Sequence, residues 1–236
     1  MYARGHPAQW LSINGYHSIK AAILAGGFGT HINSSMHQHI KTYTIKLANA
    51  LSHDAMSQIQ ELGEALRHAW TKGHSTYLCG NGGSAGNAIH LANDFLYGVG
   101  VNNGGGMRVE ALSANPAVIT CLANDIGYEN IYAEQLRVKA HQGDVLIVLS
   151  GSGNSPNVVK ALEIGNAIGM KTFAILGFSG GLCKELAQCP IHFEIDDMQI
   201  AEDLQLIVGH ICMQWLCEQD IAAHKNNIKN GIDNGR

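Results

Sequence analysis

Two short turns rich in glycine and serine each lie between an apolar run and a helical pattern. The first is Gly80-Asn81-Gly82-Gly83-Ser84, which follows the run at 75–79, and the second is Ser150-Gly151-Ser152-Gly153-Asn154-Ser155, which follows the run at 145–149. Glycine lets a backbone approach a ligand closely, and the first N–H groups of a helix have no internal partner and carry partial positive charge. Each turn is therefore typical of an anion site. Two such turns predict a crevice that holds a phosphorylated small molecule.

Four further side chains could coordinate a metal ion or transfer protons. His90 and Asp94 are four residues apart in the helical pattern that follows the first turn, so they share one helix face. Glu202 and His210 belong to the last helical pattern, and eight residues advance a helix by two turns plus about 80°. A histidine with a carboxylate one turn away is a metal pair, an acid/base pair or an ordinary surface contact. His210 has apolar neighbours, so it could be a core histidine, a metal ligand or a base.

Asn124 and Asp125 are candidates for binding sugar hydroxyls, and an Asx turn is the alternative interpretation. The serines of the second turn could be nucleophiles, but the chain has no G-x-S-x-G elbow, which argues against a hydrolase. The same turn does not complete a G-x-G-x-x-G fingerprint, and no Walker A lysine is present. These absences argue against a dinucleotide-binding site and a P-loop.

The elements that must position these residues alternate between strands and helices. The apolar runs predict strands at 75–79, 107–111, 145–149, 172–176 and 191–195. Helices are predicted at 84–97, 116–123, 129–141, 156–168, 182–188 and 199–224, after two helices between 37 and 72 that break at 52–54. This order predicts an α/β fold, a doubly wound parallel sheet flanked by helices, with ligands beyond the carboxyl ends of the strands.

Composition restricts the class of protein. The 236 residues carry a formal net charge of −4, and no basic run is present, so we predict no nucleic-acid partner. The six cysteines lie mostly in apolar segments without a C-x-x-C pair, which favours free buried thiols in a reducing compartment. No apolar stretch approaches the length of a membrane span, and the N-terminus lacks the pattern of a signal peptide. We therefore expect a cytoplasmic protein without a membrane partner.

Residues 1–36 precede the alternating strands and helices and require a separate interpretation. Residues 19–30 resemble the opening loop of sugar-phosphate nucleotidyltransferases, but His31 stands where those proteins have arginine, and no further domain follows to complete that fold. We predict a non-catalytic N-terminal extension at 1–36 and one domain at 37–236.

That domain resembles the sugar isomerase (SIS) fold and, within it, the phosphoheptose isomerase family. The resemblance rests on the first turn with His90 downstream, on Asn124-Asp125, on the second turn and on Gly209-His210. It implies an aldose–ketose isomerase acting on a sugar phosphate, with sedoheptulose 7-phosphate as the expected substrate, an enediol intermediate, a divalent metal expected to be Zn²⁺, and a homotetramer whose sites are shared between subunits.

The resemblance also implies roles for individual residues. Phosphate and nearby hydroxyls would be held by Asn81, Gly82, Gly83, Ser84, Ser150, Gly151, Ser152 and Ser155. The sugar chain would contact Asn124, Asp125 and Glu202. The metal would be held by His90, Asp94, Glu202 and His210, with Asp94 and His210 as the catalytic acid/base pair.

The chain departs from the family pattern at four positions. Asp94 stands where the family usually has glutamate, Glu202 where it has glutamine, Gly98 where it has a basic residue, and Gly151 where a hydroxyl residue is common. A carboxylate at 202 strengthens a divalent-metal site, which favours a retuned enzyme. The alternative is a non-catalytic sugar-phosphate-binding or adaptor protein, similar to relatives that act in replication initiation.

Overall fold

The computed structural model describes residues 35–51, 55–101 and 105–219. The nucleotidyltransferase-like loop at 19–30, the break predicted at 52–54 and residues 220–236 lie outside these residues. The chain divides into two compact units, residues 1–44 and 45–236. None of the helices described is both long and apolar enough to cross a membrane.

Eight α-helices and five strands make up the described part of the chain. The helices are α1 (Met36–Leu51), α2 (Met56–Lys72), α3 (Gly83–Leu96), α4 (Pro116–Ile126), α5 (Ala133–Lys139), α6 (Pro156–Ile168), α7 (Gly181–Leu186) and α8 (Met198–Cys217). The strands are β1 (Ser75–Gly80), β2 (Arg108–Ala111), β3 (Val145–Ser150), β4 (Lys171–Leu176) and β5 (Cys189–His192). Short 3₁₀ turns lie at Gly98–Gly100 and Tyr128–Asn130.

The strands form one parallel sheet in the order β2-β1-β3-β4-β5, which confirms the predicted fold class. From β1 the chain adds β2 on one side and then crosses to add β3 on the other. β1 and β3 are therefore the two strands at which the winding reverses, where open α/β sheets bind their ligands. The register pairs Gly80 with Leu149, so these two strands end nearly level and their turns are neighbours.

Helices cover both faces of the sheet. On one face α3 and α8 pack together, and α2 packs against α8 and the sheet. On the other face α6 packs against α5 and the central strands. All six residues of β3 are buried, as expected for a strand with helices on both sides. A core that includes Tyr132, Leu146 and Leu162 fills the α5–α6 side of the sheet.

Local sequence signals explain several helix ends. The side chain of Asn115 accepts hydrogen bonds from the N–H groups of Ala117 and Val118 at the start of α4, and Pro116 occupies the first helical position. Gly73 ends α2 in the left-handed conformation with φ 74°, and the helix ends at Lys72, the residue predicted.

Four boundary predictions were wrong. The helix predicted to end at 123 continues to Ile126, so Asn124 and Asp125 lie within α4. The helix predicted at 129–141 is a 3₁₀ turn followed by α5, and the end of α8 is Cys217, so Glu218 and Gln219 are not helical. The fifth strand ends at His192 and not at 195. None of the six cysteines, all of them among the described residues, forms a disulfide, as predicted, and Cys79, Cys183, Cys189 and Cys212 are buried, whereas Cys121 is exposed.

Candidate functional site

The first turn leads from β1 into α3 through a glycine that another residue could not easily replace. Gly82 has φ 56° and ψ −121°, a conformation that L side chains rarely adopt. Ser84 is buried, and its Oγ accepts a hydrogen bond of 3.0 Å from Gln205 Nε2 of α8. Because Oγ accepts this bond, the hydroxyl proton of Ser84 can still be donated to an anion.

An asparagine at each turn joins the two turns to one another. Asn81 Nδ2 donates to Asn157 Oδ1 over 2.8 Å, and Asn157 Nδ2 donates to Asn81 Oδ1 over 2.8 Å. The hydroxyl of Tyr128 donates to the same Asn81 oxygen over 3.1 Å. Neither Asn157 nor Tyr128 was predicted from sequence, although Tyr128 closely follows Asn124-Asp125 and Asn157 closely follows the second turn.

Serine side chains fold the second turn back on itself. Ser150 Oγ accepts a hydrogen bond of 3.0 Å from the Gly153 N–H, and Ser152 Oγ accepts one of 3.4 Å from the Asn154 N–H. Ser155 is the N-cap residue of α6, with Pro156 next in the chain. The predicted phosphate-binding serines therefore also shape the loop in which they lie.

Gly151 is closed in by two side chains on neighbouring elements. A Cβ at this position would lie 2.6 Å from Sδ of Met198 and 3.6 Å from the ring of Phe178. Phe178 itself has φ 45°, a conformation that is uncommon outside glycine. The thioether of Met198 thus lies where the hydroxyl side chain common in the family would begin.

Three of the four predicted metal ligands come together on α3 and α8. Nε2 of His90 and Nε2 of His210 are 3.0 Å apart. Oδ2 of Asp94 lies 3.4 Å from Nε2 of His90 and 3.3 Å from Nε2 of His210. The two rings meet edge to face at 78°, and both are partly exposed. Two imidazoles and a carboxylate at such distances could hold a metal ion or exchange a proton.

Glu202, the fourth predicted ligand, lies outside this group. Its carboxylate is packed against the start of α3, where a Cβ on Gly83 would be 2.4 Å from each carboxylate oxygen. The Asn87 side chain holds this turn of α8 by donating to the Glu202 carbonyl and to Gln205 Oε1, both over 3.0 Å. A carboxylate is electrostatically favourable near the N-terminus of a helix. In this structure Glu202 is therefore a neighbour of the first turn.

Asn124 and Asp125 lie near the end of α4, and both are exposed. Asn124 Nδ2 donates to Asp125 Oδ1 over 2.7 Å, and the Cys121 thiol donates to Asp125 Oδ2 over 3.5 Å. The Asp125 carboxylate raises the pKa of Cys121 through this hydrogen bond and through its negative charge. The bonds of both side chains are local, and their predicted contact with a sugar stays a prediction.

Comparison with known proteins relates this geometry to a family. A family model described as "SIS domain" matches residues 41–177. The phosphoheptose isomerase of Akkermansia muciniphila is 34% identical over 163 residues, 69% of this chain and 85% of the relative. That of Geotalea daltonii is 32% identical over 185 residues, 78% of this chain and 93% of the relative.

A solved structure of a phosphoheptose isomerase from Francisella tularensis has the same fold. It superposes with a TM-score of 0.71 at 22% identity, covering 78% of this chain and all of the other. The chain belongs to the SIS domain family and, within it, to the phosphoheptose isomerases. This confirms the resemblance that the two turns, Asn124-Asp125 and Gly209-His210 indicated.

Proposed function

We propose that the protein is a sugar-phosphate aldose–ketose isomerase that converts sedoheptulose 7-phosphate to D-glycero-D-manno-heptose 7-phosphate. The observation that carries the proposal is the convergence of His90, Asp94 and His210 on helices that pack beside the first turn. Relatives that cover most of the chain are named phosphoheptose isomerases. The reaction needs an anion site for the phosphate and a proton-transfer group near the sugar carbonyl, and this arrangement supplies candidates for both.

Phosphate binding is assigned to the two turns at the ends of β1 and β3. Backbone N–H groups at helix N-termini and the hydroxyls of Ser84, Ser152 and Ser155 are suitable donors to a phosphate. Binding energy from this remote group orients the reacting end of the sugar. The Asn124-Asp125 pair remains our candidate for contacts with the sugar hydroxyls.

A divalent metal, which we propose to be zinc, would be held by His90, Asp94 and His210. Ligand atoms about 2.0–2.1 Å from a tetrahedral zinc ion lie about 3.3 Å from one another. The three observed separations of 3.0, 3.3 and 3.4 Å fit that requirement. Glu202 would complete the set by turning its carboxylate away from Gly83. Such an ion, when bound, polarises a carbonyl oxygen.

Asp94 and His210 are also the proposed acid/base pair. Because an atom that coordinates the ion cannot accept a proton at the same time, the ion would be held by His90 and Glu202 during proton transfer. One group removes the proton alpha to the carbonyl, an enediol forms, and the other group returns a proton to the neighbouring carbon. Their separation of 3.3 Å means that both can reach adjacent carbons of one substrate. The aspartate arm is shorter than that of glutamate, so the packing of α3 against α8 must bring the carboxylate close to the reacting carbons.

We also propose that the protein is a homo-oligomer, specifically a tetramer. An apolar groove of about 320 Å³ lies between α2 and α8, and Ile59, Gly63, Ile211 and Trp215 line part of it. Ile211 is 41% exposed there. A second copy of the chain would bury this surface and bring protein around the half-exposed histidines.

The test is incubation with sedoheptulose 7-phosphate while the aldose product and bound metal are measured. We expect conversion by the wild type and a loss of about 100-fold or more in kcat/KM for both Asp94→Asn and His210→Ala. His141→Ala is the matched control, because His141 is an exposed histidine whose backbone N–H, and not its ring, bonds Asp144. Full activity in both site variants would remove the assignment of Asp94 and His210 as the acid/base pair. A wild type that binds phosphate without isomerising the sugar would favour the adaptor alternative.

A further inference from the structure

Asn157 carries a buried amide directly behind the second turn. It is the second residue of α6 and only 1% exposed. A buried amide without hydrogen bonds is costly, so its partners determine where it lies. Because the side chain of Asn157 is buried, a ligand in the crevice cannot contact this amide directly.

The partners of Asn157 tie it to the other turn. It exchanges two hydrogen bonds of 2.8 Å with Asn81, from amide to amide in both directions, across 76 positions of sequence. Asn157 Oδ1 also accepts from the Val158 N–H over 3.0 Å, and Asn81 Oδ1 also accepts from the hydroxyl of Tyr128 over 3.1 Å. Both amide oxygens thus accept two bonds, which fixes the rotamers of the two side chains.

The pair holds the two turns at a set distance. Asn81 begins the first turn, and Asn157 lies in the first turn of the helix that the second turn opens. A phosphate bound by N–H groups of both turns requires those groups to stay aligned, and errors of about 1 Å can cost on the order of 100-fold in rate. The second N–H of Asn81 Nδ2 can be donated to a ligand only while this rotamer is kept.

We propose that Asn157 is a positioning residue for phosphate binding, acting through Asn81 to keep the two anion-binding turns in register. The inference rests on the proposed function for the identity of the substrate. Its prediction for phosphate itself does not depend on the isomerase reaction.

The experiment compares wild type with Asn157→Leu, which replaces the amide by an apolar side chain of similar size that cannot form hydrogen bonds. The dissociation constant of inorganic phosphate is measured by calorimetry, and KM and kcat are measured with sedoheptulose 7-phosphate. Loss of hydrogen bonds worth about 1 kcal/mol predicts that the dissociation constant and KM each rise about fivefold, with kcat little changed. Asn157→Ser replaces the leucine variant if the latter does not fold.

A double-mutant cycle tests whether the effect passes through Asn81. In an Asn81→Ala background, Asn157→Leu should change phosphate affinity no further. Two effects that add in full would overturn the inference, because Asn157 would then act independently of Asn81.

Asn166→Leu is the matched control, since Asn166 lies near the opposite end of α6. Its amide donates to the Leu186 carbonyl over 2.9 Å and accepts from Thr172 Oγ1 over 2.7 Å. We expect it to lower thermal stability without changing phosphate affinity. If Asn157→Leu behaves in the same way, its role is structural only and the inference is wrong.

A wild type that binds phosphate but leaves the sugar unchanged would refute the proposed function, while the fivefold effect on phosphate would still support the inference.

Discussion

The Nε2 atoms of His90 and His210 lie 3.0 Å apart, and the residues beside them in sequence, Leu91 and Gly209, are also packed together. A Cβ at Gly209 would lie 2.2 Å from Cδ2 of Leu91. Glycine at 209 therefore permits α3 and α8 to approach closely enough for the two imidazoles to meet. This connects a packing requirement of the helix pair directly to the geometry of the proposed metal site.

Gly209→Ala should therefore separate the histidines as well as strain the core. Leu91 is only 1% exposed and has little room to move. We expect a loss of about 1–3 kcal/mol in the free energy of unfolding, as for other overpacked cores, together with weaker zinc binding. Denaturant unfolding and zinc titration measure the two effects. Leu91→Ala in the same chain should restore part of the zinc affinity by giving α3 and α8 room to close.

Gly165→Ala is the control for this prediction. Gly165 is also a tightly packed helical glycine, with a Cβ position 2.8 Å from Leu146 Cδ2, but it belongs to α6 on the other face of the sheet. The Gly165→Ala variant should be less stable than the wild type and should keep the wild-type affinity for zinc. Equal zinc affinities in wild type and Gly209→Ala would contradict the proposed link between helix packing and the metal site.

Gly83 and Gly86 allow a second matched comparison, one turn apart on α3. A Cβ at Gly83 would meet the carboxylate of Glu202 at 2.4 Å, whereas a Cβ at Gly86 would have no atom within 4 Å. Gly83→Ala should displace Glu202 and disturb the first turn, which would raise KM for the sugar phosphate. Gly86→Ala should leave KM unchanged and stabilise the helix by about 0.5–1 kcal/mol. Steady-state kinetics and thermal unfolding of both variants test this prediction. An unchanged KM for Gly83→Ala would contradict it.

The fold could be predicted largely from sequence because its signals are local. Apolar runs marked the strands, and Pro156 after Ser155 marked the start of α6 at the residue where the structure has it. The helix predicted across 129–141 failed because the chain forms a 3₁₀ turn at Tyr128–Asn130, after Gly127 with φ 94°, and becomes α-helical only from Ala133. Periodicity does not report such a break in a short segment.

Only part of the candidate site could be predicted from sequence, because some of its contacts are not local. His90 and Asp94 share a helix face by spacing alone, and the resemblance to a known family added His210 on the distant α8. The position of Glu202 against Gly83, and the amide pair of Asn81 with Asn157, depend on how separate elements pack. Neither contact leaves a periodic or compositional trace in the sequence.

The groove between α2 and α8 leads to a prediction about assembly. Ile211 lies in the groove and is exposed, and Val138 on α5 is a more exposed apolar residue outside it. Ile211→Glu should dissociate the proposed tetramer, because an unpaired carboxylate is costly to bury between subunits. Val138→Glu should have no effect on assembly. Sedimentation of both variants measures this, and a wild-type monomer or an intact Ile211→Glu tetramer would refute the interface.

Cys121 provides a prediction about pH dependence. It is the one exposed cysteine of the six, and the Asp125 carboxylate raises its pKa by accepting the thiol hydrogen bond and by its charge. Burial raises the pKa of Cys183 and Cys212 to about 12, so these thiols should stay protonated and unreactive near pH 8. Asp125→Asn removes the negative charge, lowers the pKa of Cys121 and should move the onset of its alkylation to lower pH.

The rate of iodoacetamide labelling at Cys121, followed by peptide mass spectrometry across pH 7–9, measures this shift. Glu129→Gln is the control, because it also removes one carboxylate close to the end of α4 but leaves the Cys121–Asp125 hydrogen bond in place. The Asp125→Asn profile should lie on the acidic side of the wild-type profile, and the Glu129→Gln profile should coincide with that of the wild type. If Asp125→Asn and wild type react at the same rate at every pH, Asp125 does not hold the thiol proton, and its carboxylate is oriented by other contacts.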